Sequence, residues 1–167
     1  MPTVTPSKPR YKHPVSVLVV VATVTGEVLL MERTQPRGFW QSVTGSLRDE
    51  EQETVAARRE LLEETGIDAG DALEDCHLAN HFPIIEAWRH RYDPNDRYNR
   101  EHVFRIILEN RTAVRLNPKE HLGYKWLARS KAAQLAGSWT NRIAILALVG
   151  SPLHEPSSQT DALSDTE

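Results

Sequence analysis

The sequence predicts an α/β fold, a layered sandwich of helices on a mixed β-sheet. The β-branched run VSVLVVVATV at residues 15–24 is typical of a strand buried on both faces. The segment EVLLMER at residues 27–33 follows a turn at Gly26 and predicts an antiparallel partner for that strand. Residues 51–65, rich in Glu, Ala, Leu and Arg, predict a helix that ends at Gly66. Strands with few, separated helices favour the layered architecture.

The sequence patterns that predict the remaining helices and strands are weaker. A short helix is expected at residues 130–135. The segment SWTNRIAILALVG at residues 138–150 predicts an amphipathic terminal helix with Thr140 as its N-cap. Further strands are predicted at residues 39–43, 73–81, 102–109 and 123–129.

The 167 residues are enough to bury one substantial core, and the sequence predicts a single compact domain at residues 11–150. Residues 1–10 and 151–167 are rich in Pro and small polar residues. Such segments bury too little apolar surface to order themselves, so a flexible N-terminal arm and a disordered C-terminal tail are expected.

Composition narrows the class of partner. A formal net charge of −3 gives no reason to expect nucleic acid or an anionic membrane surface. The single cysteine, Cys76, excludes an internal disulfide and a cysteine-rich zinc site. The longest apolar run, residues 15–22, is too short to span a bilayer. A cytoplasmic protein with no obligate protein partner is expected.

Three carboxylates crowd one face of the predicted helix at residues 51–65. Glu60, Glu63 and Glu64 are spaced i, i+3 and i+4, whereas Val55 and Leu62 are expected on the opposite side, packed on the sheet. Like charges at these spacings repel by a few tenths of a kcal/mol per pair, roughly.

A bound cation would relieve this repulsion. Clustered carboxylates suit Mg²⁺ or Mn²⁺, which bind oxygen ligands and substrate phosphates. A solvated acidic face is the alternative. The neighbouring Arg58 and Arg59 can orient a carboxylate, and Gly45 lets the preceding loop approach a ligand. These features favour a metal-binding helix.

The same segment carries a longer pattern, G-x5-E-x7-R-E-U-x-E-E-x-G-U, in which U is aliphatic. Its nine fixed places are all filled, by Gly45, Glu51, Arg59, Glu60, Leu61, Glu63, Glu64, Gly66 and Ile67. The chain therefore resembles the Nudix hydrolases. This resemblance implies an α/β/α sandwich with a mixed sheet and hydrolysis of a diphosphate linkage.

The resemblance also implies roles for residues of the box. In that family the box helix binds a divalent metal, which implies as ligands Glu60, Glu63, Glu64 and the Gly45 carbonyl. The glutamates would also carry the catalysis. Glu51 and Arg59 are expected to brace the loop and helix instead of taking part in the chemistry.

Five further blocks resemble one subfamily, the dihydroneopterin triphosphate diphosphatases of folate biosynthesis. They are YKHPVSVLVVV, FWQSVTGS, WRHRYDP, EHLGYKWL and SWTNR, and they extend from residue 11 to about residue 145. The resemblance implies Mg²⁺-dependent cleavage of dihydroneopterin triphosphate to the monophosphate and pyrophosphate, with Mn²⁺ as a substitute. One departure is Glu50, where the resembling sequences usually carry Gly before the first box glutamate.

The subfamily resemblance extends the candidate site beyond the box. Glu120, which precedes a predicted strand, is implied as a further metal ligand or base. Lys12 and Arg33 are expected to pair with phosphate oxygens, and the Thr44 hydroxyl could donate to the same phosphates. Arg37 lies nearby and is expected to be a solvated surface charge.

The heterocycle needs an apolar cleft with few polar groups. The residues expected to line it are Phe82, Pro83, Ile84 and Ile85. Ser138 is expected to hydrogen-bond the substrate, whereas Trp139 is expected in the core. The loop WRHRYDPNDRYNR at residues 88–100 is either a solvated charged loop or a lid that faces phosphates.

Two other functions compete with this hypothesis. One is a nucleotide-cleaning pyrophosphohydrolase of the same superfamily that acts on a (deoxy)nucleoside triphosphate. The other is a Nudix module that binds a nucleotide without turnover, against which the intact glutamates argue. A zinc site at His77 and His81 is not expected, because the i, i+4 spacing brings two rings together only on a helix.

Overall fold

The computed structural model describes residues 10–150. The predicted tail at residues 151–167, and the predicted arm apart from Arg10, lie outside the described residues. The strands are β1 (Val15–Thr23), β2 (Glu27–Arg33), β3 (Trp40–Gln41), β4 (Val43–Ser46), β5 (Leu73–Pro83), β6 (Tyr98–Leu108) and β7 (His121–Ala128). The helices are α1 (Glu53–Thr65), α2 (Arg129–Leu135), α3 (Trp139–Leu148) and a 3₁₀ helix (Glu86–Arg91).

Strand β1 is the centre of a seven-stranded mixed sheet. It pairs in parallel with β6 along its whole length, from Val15 opposite Arg100 to Thr23 opposite Leu108. Its other edge pairs antiparallel with β4 and then, at Ala22, with β2. Strand β5 extends the sheet beyond β6, while β3 and β7 pair with β2. The mixed sheet expected from the sequence is confirmed.

Helices cover both faces of the sheet, which makes the α/β/α sandwich of the Nudix fold. On β1 the odd residues Val17, Val19 and Val21 belong to the core beneath α1. The even residues Leu18 and Val20 belong to a second core beneath α2 and α3. Residues 16–23 of β1 are all buried, as expected for a strand covered on both faces.

Helix α1 faces the sheet with a different side from the one predicted. Val55 and Leu62 are 51% and 48% exposed, so their predicted packing on the sheet is wrong. The buried positions are Ala56, Ala57, Leu61, Glu64 and Thr65. The two small alanines let the helix approach β1 and β4. The side of α1 that faces the sheet carries the Glu64 carboxylate as well as apolar groups.

Two further details depart from the sequence prediction. The single strand expected at residues 39–43 is two short strands, β3 and β4, which pair with different neighbours. The predicted N-cap Thr140 lies inside α3. The cap is Ser138, whose Oγ accepts a hydrogen bond from the Asn141 backbone N–H at 3.2 Å.

No helix within residues 10–150 has the length and apolar character that crossing a membrane requires.

Candidate active site

Arg59 fixes the box loop against helix α1. Its Nε and Nη2 donate to the two carboxylate oxygens of Glu51 at 2.7 and 2.8 Å. Nη2 also reaches the Ser46 carbonyl at 3.2 Å, and Nη1 donates to Glu60 Oε1 at 2.7 Å. This two-pronged pairing lowers the pKa of Glu51 to about 2. Glu51 and Arg59 therefore have the bracing geometry expected of them.

Gly45 makes room for the Glu60 carboxylate. A Cβ at residue 45 would lie 2.0 Å from Glu60 Cδ and 2.0 Å from Glu60 Oε1, so any side chain there would displace the Glu60 carboxylate. Burial raises the pKa of Glu60, and the Arg59 guanidinium opposes that shift. The fixed glycine of the box is needed here for space, because it lets a carboxylate lie against the backbone of β4.

Glu64 meets His121, the first residue of β7, and Glu120, the residue just before that strand. Pairing of β7 with β2 places Glu120 and His121 beside α1, and one ligand atom from each of the three residues lies within 4.8 Å of the others. His121 Nε2 is 3.4 Å from Glu64 Oε2. Glu64 is only 3% exposed, and burial raises its pKa to about 7, against the opposing effect of His121.

The chemistry of this cluster fits a divalent cation. Within residues 10–150, His121 Nδ1 is buried without a hydrogen-bond partner, and the 3.4 Å contact between His121 Nε2 and Glu64 Oε2 lacks the geometry of a hydrogen bond. Buried polar atoms without partners are costly, and a cation would satisfy them. Glu64 and Glu120 supply the oxygen ligands that hard cations prefer, and Glu60 lies one turn away on the same helix.

Glu63 does not join this cluster. Its side chain is half exposed, and its carboxylate accepts hydrogen bonds from Arg48 at 3.1 Å and Arg59 at 3.2 Å. The three box glutamates lie on adjoining positions of α1, as expected, and one Arg59 nitrogen reaches both Glu60 and Glu63. The role of Glu63 as a metal ligand stays a prediction. Because α1 turns its 56–60–64 stripe towards the sheet, residue 63 points to the helix edge.

A cavity of about 520 Å³ opens beside this cluster. Its lining includes every residue expected to bind substrate, namely Lys12, Arg33, Thr44, Phe82, Pro83, Ile84, Ile85 and Ser138. Gly45 also lines it, so the cavity reaches the backbone against which the Glu60 carboxylate lies.

Four aromatic residues in the wall were not assigned to the site from sequence, namely Phe39, Trp88, Tyr92 and Trp139. Trp139, expected in the core, is 54% exposed and lines the cavity, so that expectation is wrong. Trp88 in the 3₁₀ helix also lines it, and the Arg33 guanidinium lies 5.7 Å from the centre of its ring. Arg91 lines the cavity, whereas Arg89 bonds carbonyls of its own loop. One arginine of this loop thus lines the cavity, and another holds the loop together through hydrogen bonds to its own carbonyl groups.

Lys12 and Arg33 connect the cavity with the carboxylates. Burial, followed by the charge of Arg91, lowers the pKa of both cations. The opposing charges of Glu60 and Glu120 act on Lys12, and those of Glu64 and Glu120 act on Arg33. Two partly desolvated cations beside an acid cluster form a site complementary to a metal–phosphate group.

Sequence reasoning missed three polar residues of this region. His121 had one signal, its position next to Glu120, but its meeting with Glu64 depends on the β2–β7 register. Asn99 and Glu101 line the cavity from strand β6. Both residues belong to a charged stretch of sequence that looks solvent-exposed. Their burial follows from the parallel pairing of β6 with β1, which the sequence does not show.

Fold and site agree with the comparison against known protein families. The family model described as NUDIX domain matches residues 12–148, nearly the whole described part of the chain. The chain belongs to the Nudix family. It is a Nudix hydrolase, a class of enzymes that use a divalent metal.

Among curated proteins, the chain is similar to dihydroneopterin triphosphate diphosphatase of Escherichia coli strain K12. The two are 43% identical over 139 residues, which cover 81% of this chain and 91% of the relative. The protein of the same name from Haemophilus influenzae is 37% identical over 140 residues, covering 81% of this chain and 87% of the relative.

Among solved structures, that of the E. coli dihydroneopterin triphosphate pyrophosphohydrolase superposes with a TM-score of 0.78 at 42% identity, covering 83% of this chain and 97% of the other. A MutT protein from Methanosarcina mazei has a TM-score of 0.61 at 22% identity, covering 86% of this chain and 95% of the other, which shows the shared fold alone.

Proposed function

We propose that this protein hydrolyses dihydroneopterin triphosphate to dihydroneopterin monophosphate and pyrophosphate, a step of folate biosynthesis, with Mg²⁺ as its metal and Mn²⁺ as a substitute. The observation that carries the proposal is a cavity of about 520 Å³ lined by two cations, an apolar wall and Gly45, the residue against which the Glu60 carboxylate lies. The cluster of Glu64, Glu120 and His121 begins one helical turn further along α1. The 43% identity to the E. coli enzyme of this activity supports the same substrate.

The proposed metal site comprises Glu60, Glu64 and Glu120, with the Gly45 carbonyl and Glu63 at its margin. A bound divalent cation would neutralise charge on the phosphates and activate water for attack. One glutamate of this group accepts the proton from the water that approaches phosphorus in line with the leaving oxygen. Arg59 keeps the Glu60 carboxylate in place during turnover through its 2.7 Å hydrogen bond.

The rest of the cavity binds and orients the substrate. Lys12, Arg33 and Thr44 contact the phosphate oxygens, since charge-assisted bonds to phosphate are strong and directional. Ser138, at the N-terminus of α3, hydrogen-bonds the substrate. The segment from residue 82 to residue 85 forms an apolar wall for the pterin ring.

Product analysis tests the proposed activity. Purified protein with Mg²⁺ is incubated with dihydroneopterin triphosphate, dATP and 8-oxo-dGTP in parallel, and pyrophosphate and monophosphate are quantified over time. We expect pyrophosphate to appear fastest from the pterin substrate. Equal or faster release from a nucleotide would replace the proposal by a nucleotide-cleaning activity. Binding without any release would indicate a module that only binds its ligand.

The proposal includes the cellular setting expected from the sequence. The protein acts in the cytoplasm on a small-molecule triphosphate, without nucleic acid, membrane or an obligate protein partner. The net charge of −3 supports the exclusion of nucleic acid, because nucleic-acid binding relies on a basic surface.

A further inference from the structure

The part of the cavity wall that β6 supplies is polar. Asn99 and Glu101 stand two residues apart on β6, so both side chains point to the same face of the sheet. They are 4% and 6% exposed, and both line the cavity together with Ser16 of β1. Neither residue takes part in the phosphate chemistry described above, and a buried carboxylate in the wall of a cavity calls for a ligand that bonds it.

The hydrogen bonds of this polar wall leave acceptors available. Asn99 Nδ2 donates to Ser16 Oγ at 2.7 Å, but Asn99 Oδ1 is buried without a partner among the residues that the structure describes. Glu101 Oε1 accepts from Asn80 Nδ2 at 3.3 Å, and the Thr140 side chain is its other partner. These partners of Glu101 are neutral, and burial raises the pKa of its carboxyl group. Two additional N–H donors would replace the hydrogen bonds to water that the carboxylate loses on burial.

We propose that Glu101 and Asn99 form a subsite that recognises the N–H edge of a 2-amino-4-oxo heterocycle. The Glu101 carboxylate accepts two parallel hydrogen bonds, one from the 2-amino group and one from the adjacent ring N–H. Asn99 Oδ1 accepts a further N–H of the same edge. This inference rests on the proposed function, since it assigns the part of the cavity that selects the pterin ring.

The sheet places the subsite at a suitable distance from the phosphate end. Ser46 of β4 pairs with Ser16 of β1, which pairs in turn with Glu101 of β6. Two strand spacings separate β4 from β6, a distance of about 10 Å. The backbone of Gly45, against which the metal-binding carboxylate Glu60 lies, is one residue from Ser46. A bicyclic ring at Glu101 and a phosphate near β4 would be joined by the short side chain of the substrate.

An acceptor-only wall discriminates between heterocycles. Guanine carries the same 2-amino and ring N–H edge as a pterin, so guanine nucleotides would share the subsite. Adenine presents a ring nitrogen acceptor, and a 2-oxo ring presents an oxygen, where the carboxylate requires a donor. Sites built around such hydrogen bonds reject ligands that leave their buried polar groups unpaired.

A fluorescence binding titration tests the subsite apart from catalysis. The probes are neopterin and its 2-oxo counterpart with the lumazine ring, each titrated with wild-type protein, with Glu101→Gln, and with Glu109→Gln as a matched control on an exposed residue. We expect wild type and Glu109→Gln to bind neopterin on the order of 10- to 100-fold more tightly than the 2-oxo ring. In Glu101→Gln the ratio should fall to within about threefold, because the amide offers only one acceptor in place of two.

The outcomes separate the subsite from the proposed function. Equal affinity of wild type for the two probes, or a ratio preserved in Glu101→Gln, overturns the subsite. Because the wild-type comparison changes the ligand alone, it decides the matter even if the variant fails to fold. If the pterin triphosphate is not the preferred substrate but the neopterin ratio holds, the proposed function fails and the subsite stands. If pterin turnover is preferred and the affinity ratio is near one, the proposed function stands and the subsite fails.

Discussion

The Glu60 carboxylate occupies the space in which a side chain at Gly45 would lie, with Cδ 2.0 Å from the position of a Cβ. Gly45→Ala must therefore displace Glu60 from Arg59 and from the proposed metal site. The displaced group is the end of a side chain, so we expect little change in thermal stability. Displacement of a ligand by about 1 Å can cost on the order of 100-fold in rate, and kcat should fall by this factor.

A matched control for Gly45→Ala exists in another strand of the same sheet. Gly123 of β7 has nothing within 4 Å of its added Cβ, so Gly123→Ala should retain kcat. Comparable loss in both variants would contradict the role assigned to the close approach of Glu60.

Removal of the Glu64 carboxylate should abolish stabilisation by metal as well as turnover. At about 100 times its Kd, a divalent cation adds about 2.7 kcal/mol to the unfolding free energy of wild type. We expect Mg²⁺ and Mn²⁺ to raise Tm in wild type but far less in Glu64→Gln, and kcat to fall by about 100-fold or more. Thermal shift and pyrophosphate release measure the two effects.

Glu53→Gln provides the comparison for Glu64→Gln, since Glu53 lies on the same helix with a half-exposed side chain beside His102. It should keep both the metal shift and the activity. Without metal, Glu64→Gln should be as stable as wild type, because the substitution removes a buried charge. Full activity in Glu64→Gln would sink the assignment of the site.

The Glu51–Arg59 pair should make stability depend on acid. The pKa of Glu51 is lowered from 4.5 to about 2 in the folded protein, so the folded state favours the ionised form. The pair therefore stabilises the protein above pH 4.5, and this contribution is lost as the pH falls towards 2. We expect Glu51→Gln to lower the unfolding free energy by about 2 kcal/mol at neutral pH.

Denaturant unfolding of both proteins between pH 7 and pH 2 measures this effect. The difference between wild type and Glu51→Gln should be constant above about pH 5.5 and should shrink below pH 4.5. A difference that stays the same over the whole range would mean that Glu51 stabilises through packing and not through its charge.

Glu50 adopts a left-handed backbone conformation with φ of 60°, at the place where resembling sequences usually carry Gly. This conformation costs a residue with a side chain about 1–2 kcal/mol, and the extra freedom of Gly in the unfolded chain offsets about 0.4–1 kcal/mol. Glu50→Gly should therefore raise the unfolding free energy by about 0.5–1 kcal/mol and Tm by about 1–4 °C.

Asp49 supplies the contrast for Glu50→Gly. Its φ is not positive, so Asp49→Gly gains nothing in the folded state and should lower Tm. A decrease in both variants would show that strain at Glu50 is not the dominant effect.

The sequence predicted the elements well where the signal is local. The β-branched run of β1, the hairpin to β2 and the stop of α1 at Gly66 depend on neighbouring residues, and the structure has all three. The box spacing predicted Gly45, Glu60 and Glu64 as metal ligands, and the structure places the Glu60 carboxylate against Gly45. Their binding of a metal stays a prediction. Glu120 came from resemblance, and the structure brings it to Glu64.

Features that depend on pairing between distant strands were missed or wrong. The sequence did not show which side of α1 faces the sheet, because this helix carries apolar residues on its exposed side. Val55 and Leu62 were therefore wrongly predicted to pack on the sheet. His121 approaches Glu64 only through the β2–β7 register. Glu101 becomes a buried cavity residue only because β6 lies parallel to β1.

The two fully buried alanines of α1, Ala56 and Ala57, have a consequence for how the sequence of this enzyme can diverge. They set the height of the helix above the sheet, and the proposed metal ligands Glu60 and Glu64 share that rigid helix. A larger residue at either position would lift the whole row of carboxylates while leaving every charged group unchanged. Evolution could thus adjust metal affinity and substrate fit through the volume of core methyl groups, at sites that no inspection of polar residues would single out.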